Sequence, residues 1–174
     1  MARNDIRCAR LVEGGMTAYA INTTITGAQT FEEGEPVYVD DNGYLIECAD
    51  DPAVVTGISA GTSQGMSANG EAGHLVAGTR PDGTWVQVYK PVHDQYFVCS
   101  NFATDGAGTA AVPAQTTVGD TAGFTLLGGV WYVDTGCANI HVEIVGVIDS
   151  HANFLSDIIR DVGTGVSVVF GFLT

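Results

Sequence analysis

The chain has 174 residues, with 20 acidic against six basic side chains and a formal net charge of −14 at neutral pH. A surface so acidic repels phosphate backbones, which argues against nucleic acid as a partner. Charged content is only 15%, and the 23 glycines are scattered rather than periodic; with frequent apolar strands between them, this excludes collagen and argues against disorder.

The positive charge is concentrated at the start. Arg3, Arg7 and Arg10 are half of all Lys and Arg, so residues 1–10 carry +2 and the remaining 164 carry −16. Residues 1–16 read as an irregular N-terminal arm ending near Gly14-Gly15, a candidate docking device on an acidic body. No apolar core follows these arginines, so an export signal is not expected. Residues 17–26 alternate, with Tyr19, Ile21, Thr23 and Ile25 on one face, the period of a half-buried strand.

Residues 31–61 (FEEGEPVYVDDNGYLIECADDPAVVTGISAG) form the organising stretch. Asn42-Gly43 between Val37-Tyr38-Val39 and Tyr44-Leu45-Ile46 predicts a hairpin with a type I′ turn, in which both central residues take positive φ. Glu33-Gly34-Glu35-Pro36 is a turn feeding the first strand, Asp50-Asp51-Pro52 is a second turn, and Val54-Val55-Thr56-Gly57-Ile58 is a third strand. Residues 61–73 are a loop by composition. Strands at 74–79 and 84–90, joined by Arg80-Pro81-Asp82-Gly83, read as another tight hairpin. A strand at 96–100 follows, then a small-residue loop at 103–111 that reads as a hinge between two β-units.

A looser copy of the organising stretch comes next. Val118-Gly119-Asp120 opens it, Phe124-Thr125-Leu126-Leu127 leads to Gly128-Gly129, and Val130-Trp131-Tyr132-Val133 returns. Ile144-Val145-Gly146-Val147-Ile148 echoes Val54-Val55-Thr56-Gly57-Ile58, although Gly34 to Gly57 spans 23 residues and Gly119 to Gly146 spans 27. Phe154, Leu155, Ile158, Ile159 and Val162 share one helical face, with Asn153 as N-cap and Gly163 as C′ residue, which predicts one short helix. Residues 166–173 (VSVVFGFL) close the chain as a strand buried on both faces or placed against another subunit. The fold class expected is therefore all-β, an antiparallel barrel or sandwich built from two weakly related β-units, with that helix near the C-terminus. The expected organisation is the arm at 1–16 and one β-rich domain at 17–174, divisible into lobes at 17–102 and 112–174.

Chemical motifs are sparse. Tyr38 to Gly43 superficially fits a calcium loop, but Tyr38 and Ala49 fall where the loop requires carboxylates. His93-Asp94, His141-x-Glu143 and His151 lack a third ligand at zinc spacing. There is no Gly-x-Ser-x-Gly elbow. Cys8, Cys48, Cys99 and Cys137 share no Cys-x-x-Cys spacing and are expected to be reduced thiols, mostly buried in strands. Trp85, Tyr89, Trp131 and Tyr132 fit a sugar-stacking platform or, more simply, a core. No apolar run approaches the roughly 18 residues of a membrane span. The expectation is a protein with no catalytic, metal or cofactor residues and no membrane partner.

The run GEPVYVDDNGYLIECADDPAVVTGISAG resembles the strand-turn-strand units of capsid decoration (cement) proteins of tailed bacteriophages, and HDQYFVCSNFATDG, VGDTAGFTLLGGVWYVDT and VEIVGVIDS are similar to the remainder of such proteins. The resemblance covers 31–149. It implies a β-rich virion protein on the outer capsid surface, made in the bacterial cytoplasm, that stabilises contacts between major capsid protein subunits. Under that reading Arg3, Arg7 and Arg10 are the candidate capsid contacts. Val168, Phe170 and Phe172 are the candidate contacts of a homodimer or homotrimer. The alternative is a carbohydrate-binding or tail-associated β module without catalytic activity.

Overall fold

The structure is a computed structural model that describes residues 6–9, 20–25, 29, 31–60, 64–66, 75–79, 85–89, 91, 96–148 and 166–173. It is all-β. The strands are β1 (Arg7–Ala9), β2 (Ala20–Ile25), β3 (Pro36–Val39), β4 (Tyr44–Glu47), β5 (Gly57–Ser59), β6 (Gln64–Met66) and β7 (Leu75–Thr79). They continue with β8 (Trp85–Tyr89), β9 (Tyr96–Cys99), β10 (Phe102–Ala103), β11 (Thr121–Leu127), β12 (Val130–Asp134), β13 (Val142–Ile148) and β14 (Ser167–Phe172). Among the described residues the helical content is one 3₁₀ turn, Gln115–Thr117; the expected helix at 154–162 lies outside them.

The chain divides into two compact units. Unit 1 comprises 1–17, 49–53 and 91–174, and unit 2 comprises 18–48 and 54–90. This places the boundary elsewhere than expected. The strand at Tyr96–Cys99 pairs with β14, and Ala103 bridges Ala110, so the 103–111 loop lies inside unit 1 rather than forming a hinge.

In unit 2, β2-β4-β3-β5-β8 follow one another in a closed ring, with β8 pairing both β5 and β2. All of these pairings are antiparallel except β2–β4. Alternation puts Val37, Leu45, Val86 and Val88 inside, where they pack around Phe31. The strand at 74–79 does not form the expected hairpin with the next one: β7 pairs β6, while β8 is held by the ring.

In unit 1 the strand order is β1-β9-β14-β13-β11-β12-β10. β11 is a corner strand: Thr121 and Ala122 pair β13, and the rest of the strand, Gly123 to Leu127, pairs β12. The sheet thereby folds over a core of Phe97, Phe124 and Phe170, with Phe172 at its margin. Phe97 and Phe170 stack at 5.6 Å between centroids, and Phe124 meets Phe170 edge-on at 5.8 Å. Each ring also buries apolar area worth about 1.5–3 kcal/mol. Within the expected arm, Arg7–Ala9 are part of this sheet, because β1 pairs β9 (Cys8 with Phe97), and Ile6 is buried; the rest of 1–16 lies outside the described residues.

The two weakly related units prove to be one topology used twice. The order β2-β4-β3-β5-β8 in unit 2 matches β10-β12-β11-β13-β14 in unit 1, including a parallel pair at the same place. Gly34 N–H donates to Ser59 O and Ser59 N–H to Glu35 O, both at 2.8 Å. Gly119 N–H donates to Ile144 O at 2.8 Å and Ile144 N–H to Asp120 O at 2.9 Å, every partner 85 residues later. Thr56 N–H to Val37 O and His141 N–H to Ala122 O keep the same offset. The register differs from the one read from sequence, since Ser59 rather than Val54 corresponds to Ile144, and Gly57 corresponds to Val142 rather than Gly146.

The turn at Asn42-Gly43 is not type I′. Gly43 N–H donates to Asp40 O at 2.9 Å, Asp40 N–H donates to Tyr44 O at 2.9 Å, and only Gly43 in the turn has positive φ, +83°. This is a type I turn followed by a left-handed glycine. The Asp40 carboxylate selects it by accepting from Asn42 N–H at 3.0 Å and Tyr44 N–H at 2.8 Å. The type I′ turn occurs at the other hairpin, where Gly128 (φ +61°) and Gly129 (φ +79°) link the paired Leu127 and Val130. A Gly43→Val substitution meets no neighbouring atom but puts a β-branched residue at positive φ. It should destabilise the protein by about 1–3 kcal/mol in denaturant titration, and Gly43→Asn by less.

Candidate functional site

The most elaborated surface feature of unit 1 is the loop at 104–109, laid over the β11–β12 hairpin and braced from beneath by one buried carboxylate. Asp134 ends β12 fully buried. Its Oδ1 accepts from Gly136 N–H at 2.8 Å and Gly106 N–H at 3.1 Å, and its Oδ2 from Gly108 N–H at 3.3 Å and the Thr125 hydroxyl at 3.2 Å. A buried carboxylate is tolerated because all four donors point at it. Gly136 and Gly106 allow the approach: a Cβ at Gly136 would strike the backbone of Asp105 and Gly106. Asp105 closes the loop on itself by accepting from Ala107 and Thr109 N–H groups at 3.0 and 3.2 Å. Its carboxyl lies below the usual range, first through the Thr109 hydroxyl and then through Ala107 N–H. Leu127, at the hairpin tip beside Gly108, is half exposed.

A second brace in the same unit comes from 49–53. Asp50 Oδ1 accepts from Leu126 N–H at 2.8 Å, and Asp51 accepts from Asn139 through both its carboxylate (3.1 Å) and its carbonyl (2.9 Å). His141 Nε2 lies 2.6 Å from Pro52 O; a carbonyl only accepts, so Nε2 carries the proton. Asp51 takes φ +44°, a left-handed conformation held by these bonds.

The arrangement positions backbone and does not assemble reactive groups. His141 is committed to Pro52 and stacks on Phe124 at 6.3 Å, while His93 and His151 lie outside the described residues. Among the described residues, no three His, Cys, Asp or Glu side chains are grouped to hold a metal. Trp131 is buried in the core and cannot stack on a sugar. Cys48, Cys99 and Cys137 are buried free thiols. Burial pushes Cys48 up to about 12 and Cys137 up to about 11, the latter against an opposing bond from Thr125.

The expected contact residues separate. Val168 and Phe170 are fully buried in β14, which runs between β13 and β9, so neither can face a partner. Their apolarity belongs to the chain's own core. Phe172 is half-buried and packs edge-on against Phe97 at 5.7 Å. Arg7 lies in edge strand β1, and Arg3 and Arg10 lie outside the described residues. Sequence reasoning missed Asp134, Asp50 and Asp51; the one signal for Asp134 is an acid closing the apolar run Val130-Trp131-Tyr132-Val133.

No protein-family model matches the chain, and no curated protein or solved structure is significantly similar to it. No helix among the described residues is long and apolar enough to cross a membrane.

Asp134→Ala strands three backbone N–H groups and should cost about 3 kcal/mol or more in denaturant titration. Asp105→Ala, at an exposed position, should cost far less. The thiols supply a separate test. A raised folded-state value means stabilisation that is complete below the ordinary thiol range and lost as pH rises towards 11–12. Stability should therefore decline above pH ~9, and Cys48 and Cys137 should resist alkylation near neutral pH until denaturant is added, as followed by mass.

Proposed function

We propose that the chain is a non-catalytic structural protein of a bacteriophage virion, binding the outer capsid surface and stabilising contacts between major capsid protein subunits. The supporting observation is where the resemblance falls. GEPVYVDDNGYLIECADDPAVVTGISAG spans β3, β4 and β5, and VGDTAGFTLLGGVWYVDT with VEIVGVIDS spans β11, β12 and β13, the two copies of the repeated topology. The part of the chain that resembles a cement protein is thus its architectural unit. Loops braced by Asp134, Asp50 and Asp51 give the copy in unit 1 a fixed outline, which is what attachment to a lattice requires. Individual contacts can be modest, because many linked sites raise the effective affinity.

In this reading the protein is made in the host cytoplasm and acts as a homodimer or homotrimer. Arg3, Arg7 and Arg10 supply planar forks for carboxylates of the major capsid protein. Because β1 belongs to the sheet, the arginines are best tested by substitution rather than by deleting the arm. Shells of the major capsid protein encoded nearest its gene should co-sediment the wild-type chain at low salt. Replacing all three arginines by Ala should weaken binding several-fold, and added salt should shrink the difference. Failure of the wild-type chain to co-sediment at any salt would overturn the reading, and tryptophan quenching by oligosaccharides alongside that failure would favour a glycan-binding module.

A further inference from the structure

Asn42-Gly43 carries a chemistry that the turn itself does not require. In a flexible chain the backbone nitrogen of a glycine attacks the side-chain carbonyl carbon of a preceding asparagine. The Gly43 N–Asn42 Cγ bond would form and the Cγ–Nδ2 bond would break. The proton lost by Gly43 N, carried by solvent base, would leave with the two hydrogens of Nδ2 as ammonia. Water then opens the cyclic imide at one of its two carbonyls, giving aspartate or isoaspartate. No oxidant or reductant enters, and water is the one co-reactant. Both residues are exposed, so solvent base and water reach them.

Yet the turn engages each group the attack needs. Gly43 N–H donates to Asp40 O at 2.9 Å, and the Asn42 side-chain amide donates to Asp40 Oδ2 at 3.3 Å. Asn42 N–H is held by Asp40 Oδ1 at 3.0 Å, anchoring the peptide before Asn42, while the Gly43 N–H bond holds the Asn42–Gly43 peptide that would have to rotate. The attack passes through a negatively charged nitrogen, and the carboxylates of Asp40 and Asp41 next to it oppose that charge. The same acid that shapes the hairpin therefore restrains both reacting partners.

We propose that Asn42-Gly43 is a latent deamidation site held shut by Asp40, so that isoaspartate forms there when the β3–β4 hairpin opens. Isoaspartate would add a methylene to the backbone at the tip of a ring strand pair and one negative charge to an already acidic chain. The reaction would make an opening of the hairpin permanent.

The experiment incubates the full chain in mildly alkaline buffer, folded and in guanidinium chloride, and follows the chymotryptic peptide VDDNGY by mass and by isoaspartate methyltransferase labelling. The folded chain should deamidate at Asn42 more slowly by on the order of tenfold or more, since two hydrogen bonds of ordinary net strength must break first. Folded Asp40→Ala, which loses the carboxylate but keeps the main-chain carbonyl that holds Gly43 N–H, should deamidate faster than folded wild type and still more slowly than the unfolded chain. Equal rates in the folded and unfolded wild type, or a folded Asp40→Ala no faster than wild type, would overturn the proposal. Should Asp40→Ala not fold, Asp40→Asn keeps an oxygen for Asn42 N–H and Tyr44 N–H but lacks the charge and the second oxygen; a rate no higher than wild type in that variant would overturn it equally.

Discussion

A chain that turns into an antiparallel strand must find partners for the first N–H and C=O groups it exposes. In both units those partners lie on the third strand of the same module. Gly34 and Glu35 exchange bonds with Ser59, and Gly119 and Asp120 exchange the equivalent bonds with Ile144. This exchange fixes the register between the entering strand and the third strand. The hairpin strand is then free to pair on the other side, and the parallel strand adds beyond it. The rest of each unit follows from that placement: β3 and β11 become corner strands because one edge is claimed early and the other edge late.

What differs between the copies is what is laid on the shared frame. Ile46 pairs with Tyr38 and remains half-buried, whereas the corresponding pair in unit 1 is Gly123 with Asp134, and Asp134 is fully buried. An isoleucine there needs only apolar neighbours. A carboxylate needs donors, and the 104–109 loop supplies them through backbone N–H groups. The exchange of one side chain thus goes with the presence of a loop. At the other side of the frame, β2 runs for six residues and closes a ring on β8, while its counterpart β10 has two residues and β14 takes β9 as its neighbour. One topology is therefore closed in unit 2 and extended in unit 1.

Much of the frame was legible, because strand existence follows from local alternation and apolar runs. The strands at 37–39, 44–46, 85–89, 96–99, 130–133 and 167–172 were visible this way, as was the duplication. Partner choice was not. β8 follows β7 closely in sequence but belongs to β2 and β5, a preference set by distant residues. The turn at Asn42-Gly43 was located correctly and typed wrongly, because the dipeptide rule ignores the acid two residues upstream whose carboxylate bonds Tyr44 N–H. The glycine match between Gly57 and Gly146 failed because register follows the entering turn, not a central glycine. Val168 and Phe170 read correctly as doubly buried, but hydrophobicity cannot say whose surface buries them. Asp134 was hidden for the opposite reason: three of its four partners are backbone groups, which leave no mark in the sequence.

These bonds also change how the acidity of the chain is understood. With 20 acids and six bases, ion pairing cannot account for most of the carboxylates, and a solvated, repulsive surface is the ordinary reading of such a balance. Yet Asp40, Asp50, Asp51, Asp105 and Asp134 each accept backbone N–H groups at turns or loops. In a protein with many glycines and short strands, turns leave many N–H groups outside the ladders, and an aspartate side chain is the shortest acceptor that can reach back to them. Part of the negative charge is thus the residue of how the loops are built. For Asp40 and Asp105, whose carboxyls are held below the usual range, these bonds contribute stability above the ordinary carboxylate range that fades as pH falls through the lowered values. Loop shape and acidity are in this sense one property, and removing acids to reduce repulsion would remove the acceptors that give the loops their form.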